Sequence, residues 1–517
     1  MLVRNRVTGF AIALLFWTLT PRLSADVRVP HVFGNDMILQ QQMDVPIWGW
    51  ASPGESVTVK IAGQEVTAIA DAKGNWRVKL APLSAPGPYI LTIVGKNTLQ
   101  FTNVAVGEVW LCSGQSNMDF GMNQVRDAKA EISKANFPQI RLLDMFYKTA
   151  PSPENDADVH WKICTPTNLA TGGFFNSGFT AVGYYFGREL HTNLNVPVGL
   201  IKSAWGGTRI EPWTPREGFE LHPQFAEIVK KIDSATPKYK VAIKRALPEY
   251  EKWLAKSKKA VSNDVAVPEP PAWPKHELND SGQPTGIYNG IVHPLVGFAM
   301  RGAIWYQGES NRGDGPTYTE RMKALIDGWR KIWREGNFPF YYVQIAPFRY
   351  GDNPEETMRI WEAQLNALSI TNTGMAVTTD LVDNIADIHP HNKNDVGHRL
   401  ALWALAKTYG RTDLIYSGPL FESASADGNK LRLKFKYAAD GLKSRDGKPL
   451  TWFEVAGADG KLQKANASIE GKDTIVVSSS EVTAPTQARF GWNQEAMPNL
   501  VNSAGLPASP FRCAVNQ

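Results

Sequence analysis

Val109-Trp110-Leu111-Cys112-Ser113-Gly114-Gln115-Ser116-Asn117-Met118 is the stretch on which the reading of the fold turns. Its first four residues are apolar without alternation, as in a strand covered on both faces. A Gly and small polar residues follow, as at a strand-to-helix turn. Comparable apolar runs recur at Val198 to Ala204, Ala303 to Tyr306, Phe340 to Ile345 and Met375 to Thr379. Helical periodicity fills Tyr318 to Trp333, Glu356 to Leu368 and Asn394 to Tyr409. Strands alternating with helices predict the α/β class with a parallel sheet. In such sheets ligands bind beyond the carboxyl ends of the strands, so the residues just after each run are the candidate site.

Outward from this layer the texture is β. Residues 26–105 carry period-two strands at Val57-Thr58-Val59-Lys60-Ile61 and Trp76-Arg77-Val78-Lys79-Leu80, with Pro53-Gly54 and Lys73-Gly74 as turns. They read as a β-sandwich. Residues 412–517 return to alternation, as in Leu431-Arg432-Leu433-Lys434-Phe435-Lys436-Tyr437, and read as a second β module. The α/β layer is then 106–411. A Lys-, Glu- and Pro-rich insertion at about 218–273 interrupts it, with an amphipathic helical portion near Tyr239 to Lys259 and a Pro268-Glu269-Pro270-Pro271 close.

The chain has 517 residues, 43% hydrophobic and 20% charged, a composition that excludes disordered, collagen-like and coiled-coil chains. A net charge of +5 over this length is too dilute for nucleic acid or anionic membranes as partners. Arg4 and Arg6 precede an apolar run from Phe10 to Leu19, and Leu23-Ser24-Ala25 follows, the pattern of an export signal over residues 1–25. Without those residues the chain loses Arg4, Arg6 and Arg22 and no acid, so the net charge falls to +2. The run is shorter than the roughly 20 residues that span a bilayer, and no membrane anchor is expected after cleavage. A periplasmic or extracellular location follows. Of the three cysteines, Cys112, Cys164 and Cys513, at least one has no partner within the chain.

The strand ends carry the chemistry. Ser116 follows Gly114-Gln115 where helix N-terminal N–H groups favour a developing oxyanion. The stretch is not Gly-x-Ser-x-Gly, because Met118 takes the last position, which argues against an ordinary α/β-hydrolase elbow. Ser203-Ala204-Trp205-Gly206-Gly207-Thr208 offers backbone donors at two glycines. In Trp305-Tyr306-Gln307-Gly308-Glu309-Ser310-Asn311 the Gln307 amide is a second type of oxyanion donor, and Glu309 a holder of the loop. A serine nucleophile needs an imidazole oriented by a carboxylate. The run from Asp380 through Asp383, Asp387 and His389 to His391 supplies both. The same residues allow a zinc reading, His389-x-His391 with nearby Asp, although no distant Cys or His pattern completes it. His293, in Asn289-Gly290-Ile291-Val292-His293-Pro294, reads as structural.

Together these blocks resemble the sialate O-acetylesterase family of the SGNH (GDSL-like) hydrolases over nearly the whole chain after residue 25. The resemblance runs through Phe33-Gly34-Asn35-Asp36-Met37-Ile38-Leu39-Gln40, Trp48-Gly49-Trp50, Gly114-Gln115-Ser116-Asn117-Met118, Trp205-Gly206-Gly207-Thr208, Trp305 to Asn311, Asp387-Ile388-His389-Pro390 and Gly505 to Arg512. It implies a three-layer α/β/α domain that removes O-acetyl groups from carbohydrate without metal or organic cofactor. By analogy Ser116 is the nucleophile, His389 the general base and then acid, and Asp387 the orienting carboxylate. The Ser116 and Gly206 N–H groups with the Gln307 side chain form the oxyanion hole, and Gln115, Asn117, Glu309 and Asn311 support it. Many SGNH enzymes place the orienting Asp three residues before the His. Here that position is Ala386, which leaves Asp383 and Asp380 as alternatives to Asp387.

Two other functions fit the same residues. A hemicellulose acetylesterase, acting on xyloglucan or xylan, would use the same catalytic groups. A non-catalytic carbohydrate-binding protein would need only the β modules and aromatic loops.

Overall fold

The computed structural model describes residues 26–84, 86–173, 176–351 and 353–515; the expected export signal at 1–25 lies outside them. The quoted strand is the spine of the fold. It is β1, Thr98–Gly114, 17 residues long. Its first half alternates in exposure, and from Val104 onward every residue is buried. The change marks where the strand leaves an N-terminal antiparallel sheet, paired with Tyr89–Val94, and enters the central one. The expected 105/106 boundary thus falls inside one continuous strand.

The central sheet adds β2 (Phe137–Asp144), β3 (Val198–Ala204), β4 (Gly302–Tyr306), β5 (Phe340–Val343) and β6 (Thr373–Ala376). Their order is β6-β5-β4-β1-β3-β2, all parallel, closed at the far edge by antiparallel Lys162–Cys164. Chain order reverses at β1, whose neighbours are β3 on one side and β4 on the other. A crevice opens at such a switch point beyond the strand ends.

Helices cover both faces. After the short helix α1 (Ser116–Asp119), α2 (Ala181–Leu194) packs one face, and α3 (Ala226–Ser262) lies outside the layer. The opposite face carries α4 (Thr317–Trp333) and α5 (Glu355–Asn366), while α6 (Lys393–Trp403) returns beside α2. One core joins Tyr318, Met322, Trp329 and Trp361 to the sheet, and the other joins Tyr184, Phe186, Val396 and Leu400. The architecture is therefore mixed α/β, three layers deep, with β modules attached, as the alternating pattern predicts.

The inserted helix is longer than its amphipathic portion suggests. α3 runs 37 residues through Pro237 and Pro248, with only Ala235, Ser257 and Ala260 buried. The Pro-rich stretch folds back along it: the Trp253 Nε1–H donates to the Pro268 carbonyl at 2.7 Å, and Tyr250 meets Trp273 edge to face. At the other end, the C-terminal β module is fastened to the layer by Arg512, whose guanidinium donates twice to Glu362 at 2.9 Å. Gln344 also donates to Ser509 there. All three cysteines are free, and burial pushes the Cys112 thiol far up.

Candidate active site

β1 ends at Gly114, φ +143°, where a Cβ would lie 2.2 Å from the Tyr306 carbonyl oxygen. Only glycine lets β1 and β4 run this close while the chain turns. Gln115 then caps α1, and Ser116 becomes its first residue, with its N–H among those a helix leaves unbonded. Trp205-Gly206-Gly207 leaves β3 alongside: a Cβ on Gly206 would sit 3.3 Å from Ser116 Cβ. Among the described residues the Gly206 N–H has no acceptor.

Ser116, Gly206 and His389 line one cleft of about 780 Å³ at the switch point. Tyr147 and Trp205 form one wall, their rings stacked at 4.8 Å and 14°. Phe120 stacks under His389 at 6.1 Å. Beneath the floor Lys202, 1% exposed, pairs with Asp119 at 2.7 Å and Asp144 at 3.1 Å. Asp119 also accepts from the Tyr147 hydroxyl. A buried ammonium between two carboxylates fixes α1 and the Tyr147 wall to the end of β3.

The carboxylates before His389 are sorted by their partners. Asp380, 6% exposed, is held by Arg399 through two bonds of 2.7 Å and by Arg445 at 3.3 Å. Asp383 pairs with Arg126 and accepts from the His391 N–H at 3.0 Å, and its carboxyl is held below the usual range by those bonds against the opposing pull of desolvation. Asp387 lies 3.7 Å from His389 Nδ1, and its Oδ1 accepts the His389 N–H at 2.9 Å. The turn therefore presents Asp387 to the imidazole and spends the other two elsewhere. His391 faces Asp383 at 3.3 Å and not the cleft. Among the described residues no three His, Cys, Asp or Glu side chains converge as metal ligands. Burial, with Lys393 adding to it, lowers the His389 pKa, against the opposing pull of Asp387.

Gln307 does not reach the cleft. It is fully buried; its amide donates to Gln115 Oε1 (3.1 Å), the Thr208 carbonyl (3.1 Å) and Asn311 Oδ1 (2.7 Å), and its Oε1 accepts from the Tyr318 hydroxyl. Asn311, also buried, receives the Ile210 N–H and donates to Glu211 and Asp314, which hold Arg209. Gln115 accepts from Gln307 and from the Ser310 N–H. Asn117 donates to Glu309 Oε1 at 2.7 Å and to the Ile388 carbonyl at 3.1 Å, which ties the serine turn to the histidine loop. Glu309 lines the cleft; burial raises its pKa, and its Oε2 has no partner among the described residues.

Sequence reasoning passes over Lys393, Phe120, Tyr147 and Lys202. A lysine is ordinarily read as a surface residue, and only packing reveals two of them buried at one site.

The family model for sialic acid-specific acetylesterases, a carbohydrate esterase family, matches residues 106–247 and 283–406. This chain belongs to that family. Within it, the sialate O-acetylesterase of Rattus norvegicus is 30% identical across 99% of this chain and 99% of its own length. The Homo sapiens sialate O-acetylesterase is 28% identical across 99% and 97%. A crystal structure of a carbohydrate acetylesterase from Xanthomonas citri superposes with a TM-score of 0.78 at 34% identity, covering 94% of this chain and 99% of that one. As a family member the protein is a carboxylic ester hydrolase. The family match runs into α3 as far as residue 247 and resumes at 283, leaving out the end of that helix and the Pro-rich stretch after it.

Proposed function

We propose that this esterase removes O-acetyl groups from sialic acid or a related sugar through a Ser116 acyl-enzyme, after export directed by residues 1–25. The observation that carries the reading is the juxtaposition of Ser116 with the Gly206 backbone, in a cleft whose other wall is His389. His389 Nδ1 faces Asp387, so Nε2 is the nitrogen left for the serine. Ser116 Oγ bonds to the acetyl carbonyl carbon while its proton passes to Nε2. The oxyanion is received by the Ser116 and Gly206 N–H groups. Gln307 serves that hole indirectly by fixing Gln115 beneath it. The ester C–O bond then breaks, and the sugar oxygen leaves with the proton from His389. Water, deprotonated by the same ring, attacks the acetyl-serine; acetate departs and Ser116 regains its proton.

In this reading 106–411 is the catalytic domain, flanked by the β modules at 26–105 and 412–517, and the Tyr147–Trp205 wall is the surface for a sugar ring. The test is acetate release from a panel of O-acetylated sialic acids, acetylated xyloglucan and acetylated xylan. Release from the sialic acids, lost in Ser116→Ala with folding intact, is the expected result. Release from the hemicelluloses alone assigns the substrate to the plant-polysaccharide alternative. Turnover retained by Ser116→Ala removes the nucleophile. Sugar binding with no hydrolysis of any acetyl ester would make the protein a binding module. Fractionation of expressing cells, with the amino terminus sequenced, tests export; a retained residue 1 in the cytoplasm overturns it.

A further inference from the structure

Two stretches of sequence that the esterase chemistry leaves unused, Trp48-Gly49-Trp50 and the His293 turn, meet at a second cleft of about 360 Å³. It shares no lining residue with the cleft at Ser116. The strand Val45–Trp50 alternates: Val45, Ile47 and Gly49 are buried, while Trp48 and Trp50 are on the half-exposed face. Arg77 is directly opposite Trp48 on the antiparallel strand Asn75–Leu80, so it shares that face. An outward face normally carries polar residues; here, beside Asn75 and Lys79, it carries two indoles, with Arg77 opposite Trp48 and the Arg28 guanidinium over one side of the Trp50 ring at 5.1 Å.

The polar groups of this cleft have capacity to spare. Arg77 lies over the Trp48 ring at 5.8 Å, and no carboxylate among the described residues forms an ion pair with it. Arg334 and Glu335 act on it from farther away with opposite signs. Asp71, on the rim, is already committed to the Lys73 and Asn75 amides at 2.8 and 2.9 Å. His293 Nδ1 is 2.6 Å from the Glu154 carbonyl, which can only accept, so Nδ1 donates there and Nε2 is left for another partner. Trp76 lines the cleft with a buried indole N–H that has no acceptor among the described residues. Asn155 adds an amide from the loop above.

We propose that this cleft is a second, non-catalytic subsite for a sugar ring that carries a carboxylate, with the ring against Trp48 and Trp50 and the carboxylate on Arg77. Aromatic faces beside planar donors and acceptors suit a ring with polar edges, and a guanidinium without a carboxylate partner selects an anion. Two kinds of sugar share this chemistry, a sialic acid and a uronic acid of a plant polysaccharide. The inference goes beyond the esterase reading, because it concerns binding and needs no step at Ser116.

The test uses the full chain carrying Ser116→Ala, titrated by ligand-observed NMR. The ligands are the methyl glycosides of N-acetylneuraminic acid, glucuronic acid and xylose, none of them O-acetylated. Binding at the catalytic cleft is common to every variant, so differences among variants report the second cleft. Arg77→Gln should weaken an acidic glycoside about tenfold, the loss of one charge-assisted contact, and leave the xyloside unchanged. Whichever acidic glycoside responds identifies the source. Asn155→Ala, on a loop, should weaken the same ligand without burdening the fold, and Trp50→Ala should do so if its unfolding midpoint is preserved. In the Ser116 background, Arg77→Gln should hydrolyse a small acetyl ester at the parent rate. Acidic-glycoside binding indifferent to Arg77→Gln and Asn155→Ala overturns the proposal, as does xyloside binding that falls in parallel.

Discussion

Lys393 reaches Asn117 from beneath the active-site cleft, its Nζ donating to Asn117 Oδ1 across 2.5 Å with no solvent exposure. The ammonium lies over the rings of Phe120 at 4.7 Å and Tyr306 at 5.3 Å. Asn117 spends its own N–H groups on Glu309 and the Ile388 carbonyl. One buried cation thus joins the turn of the serine, the loop of Glu309 and the residue before His389. Burial lowers the Lys393 pKa to about 7, against the opposing pull of Glu309, Asp387 and Asp383.

Lys393→Met therefore keeps the apolar contacts and removes both the bond and the charge. It should reduce kcat/KM for a small acetyl ester about tenfold, through looser placement of Asn117. A positive neighbour disfavours the imidazolium, so its removal raises the His389 pKa. The acid limb of kcat/KM should move to higher pH in this variant. A rate loss with an unmoved acid limb would confine Lys393 to packing.

On the proposed mechanism, the limb in the unmodified enzyme is set by His389. Its pKa is lowered below the ordinary histidine value by burial and by Lys393, with Asp387 opposing. In that mechanism the neutral ring is the competent base, so activity should persist as pH falls past about 6.5 and decline only below it. Rate profiles of kcat/KM, which report the free enzyme, check this; a limb centred above pH 7 contradicts it.

Asp387 and Asp383 are separable by substitution. Asp387→Asn should lower kcat about 10²-fold or more, because the imidazolium loses its counter-charge. Asp383→Asn should cost far less, since that carboxylate serves Arg126 and His391. The reverse ranking in a steady-state comparison would transfer the orienting role to Asp383.

How much of this is legible in sequence depends on how far a residue's role is local. β3 is read to the residue, Val198–Ala204, because an unbroken apolar run of strand length has few other uses. α4 is read within one residue, Thr317–Trp333, from its periodicity. β2 and α2 are not seen. Phe137–Asp144 is apolar only in part, with Pro138 and Arg141 inside it. Ala181–Leu194 contains Gly183 and Gly187, which weaken a helical reading. Their purpose is tertiary: a Cβ on Gly187 would meet Leu200 at 2.6 Å, and one on Gly183 would meet Cys112 Sγ at 3.0 Å. That Ser116, Gly206 and His389 share one cleft follows from their places beyond the strand ends. Gln307 also follows a strand end but does not reach the cleft, because Asn311 and Tyr318 close over it, a depth that no local pattern carries.

The Tyr147–Trp205 wall should act on binding more than on chemistry. Trp205→Ala removes one ring of a stacked pair that borders the cleft. For a glycan substrate KM should rise about tenfold with kcat nearly unchanged, the signature of uniform binding lost. For a small acetyl ester, which leaves that wall empty, both constants should hold. An equal fall in kcat for both substrates would mean that the wall positions the reacting groups instead.

Gly206→Ala tests the oxyanion assignment at its narrowest point. The added methyl would lie 3.3 Å from Ser116 Cβ and 3.6 Å from its Cα, tight enough to push the two turns apart by a few tenths of an ångström. Both N–H groups assigned to the oxyanion lie on those turns, and donors must be within about 3 Å of the oxygen to act. The substitution should lower kcat by roughly 10²-fold, the scale of one lost donor, with little change in thermal stability, because Gly206 is at the cleft surface. Gly114→Ala is the contrasting control: its methyl would strike the Tyr306 carbonyl at 2.2 Å inside the sheet, so it should lower the unfolding midpoint as well as the rate. Full activity in Gly206→Ala would place the oxyanion on a different set of donors, with Gly207, the next residue along the same turn and also lining the cleft, the first to examine.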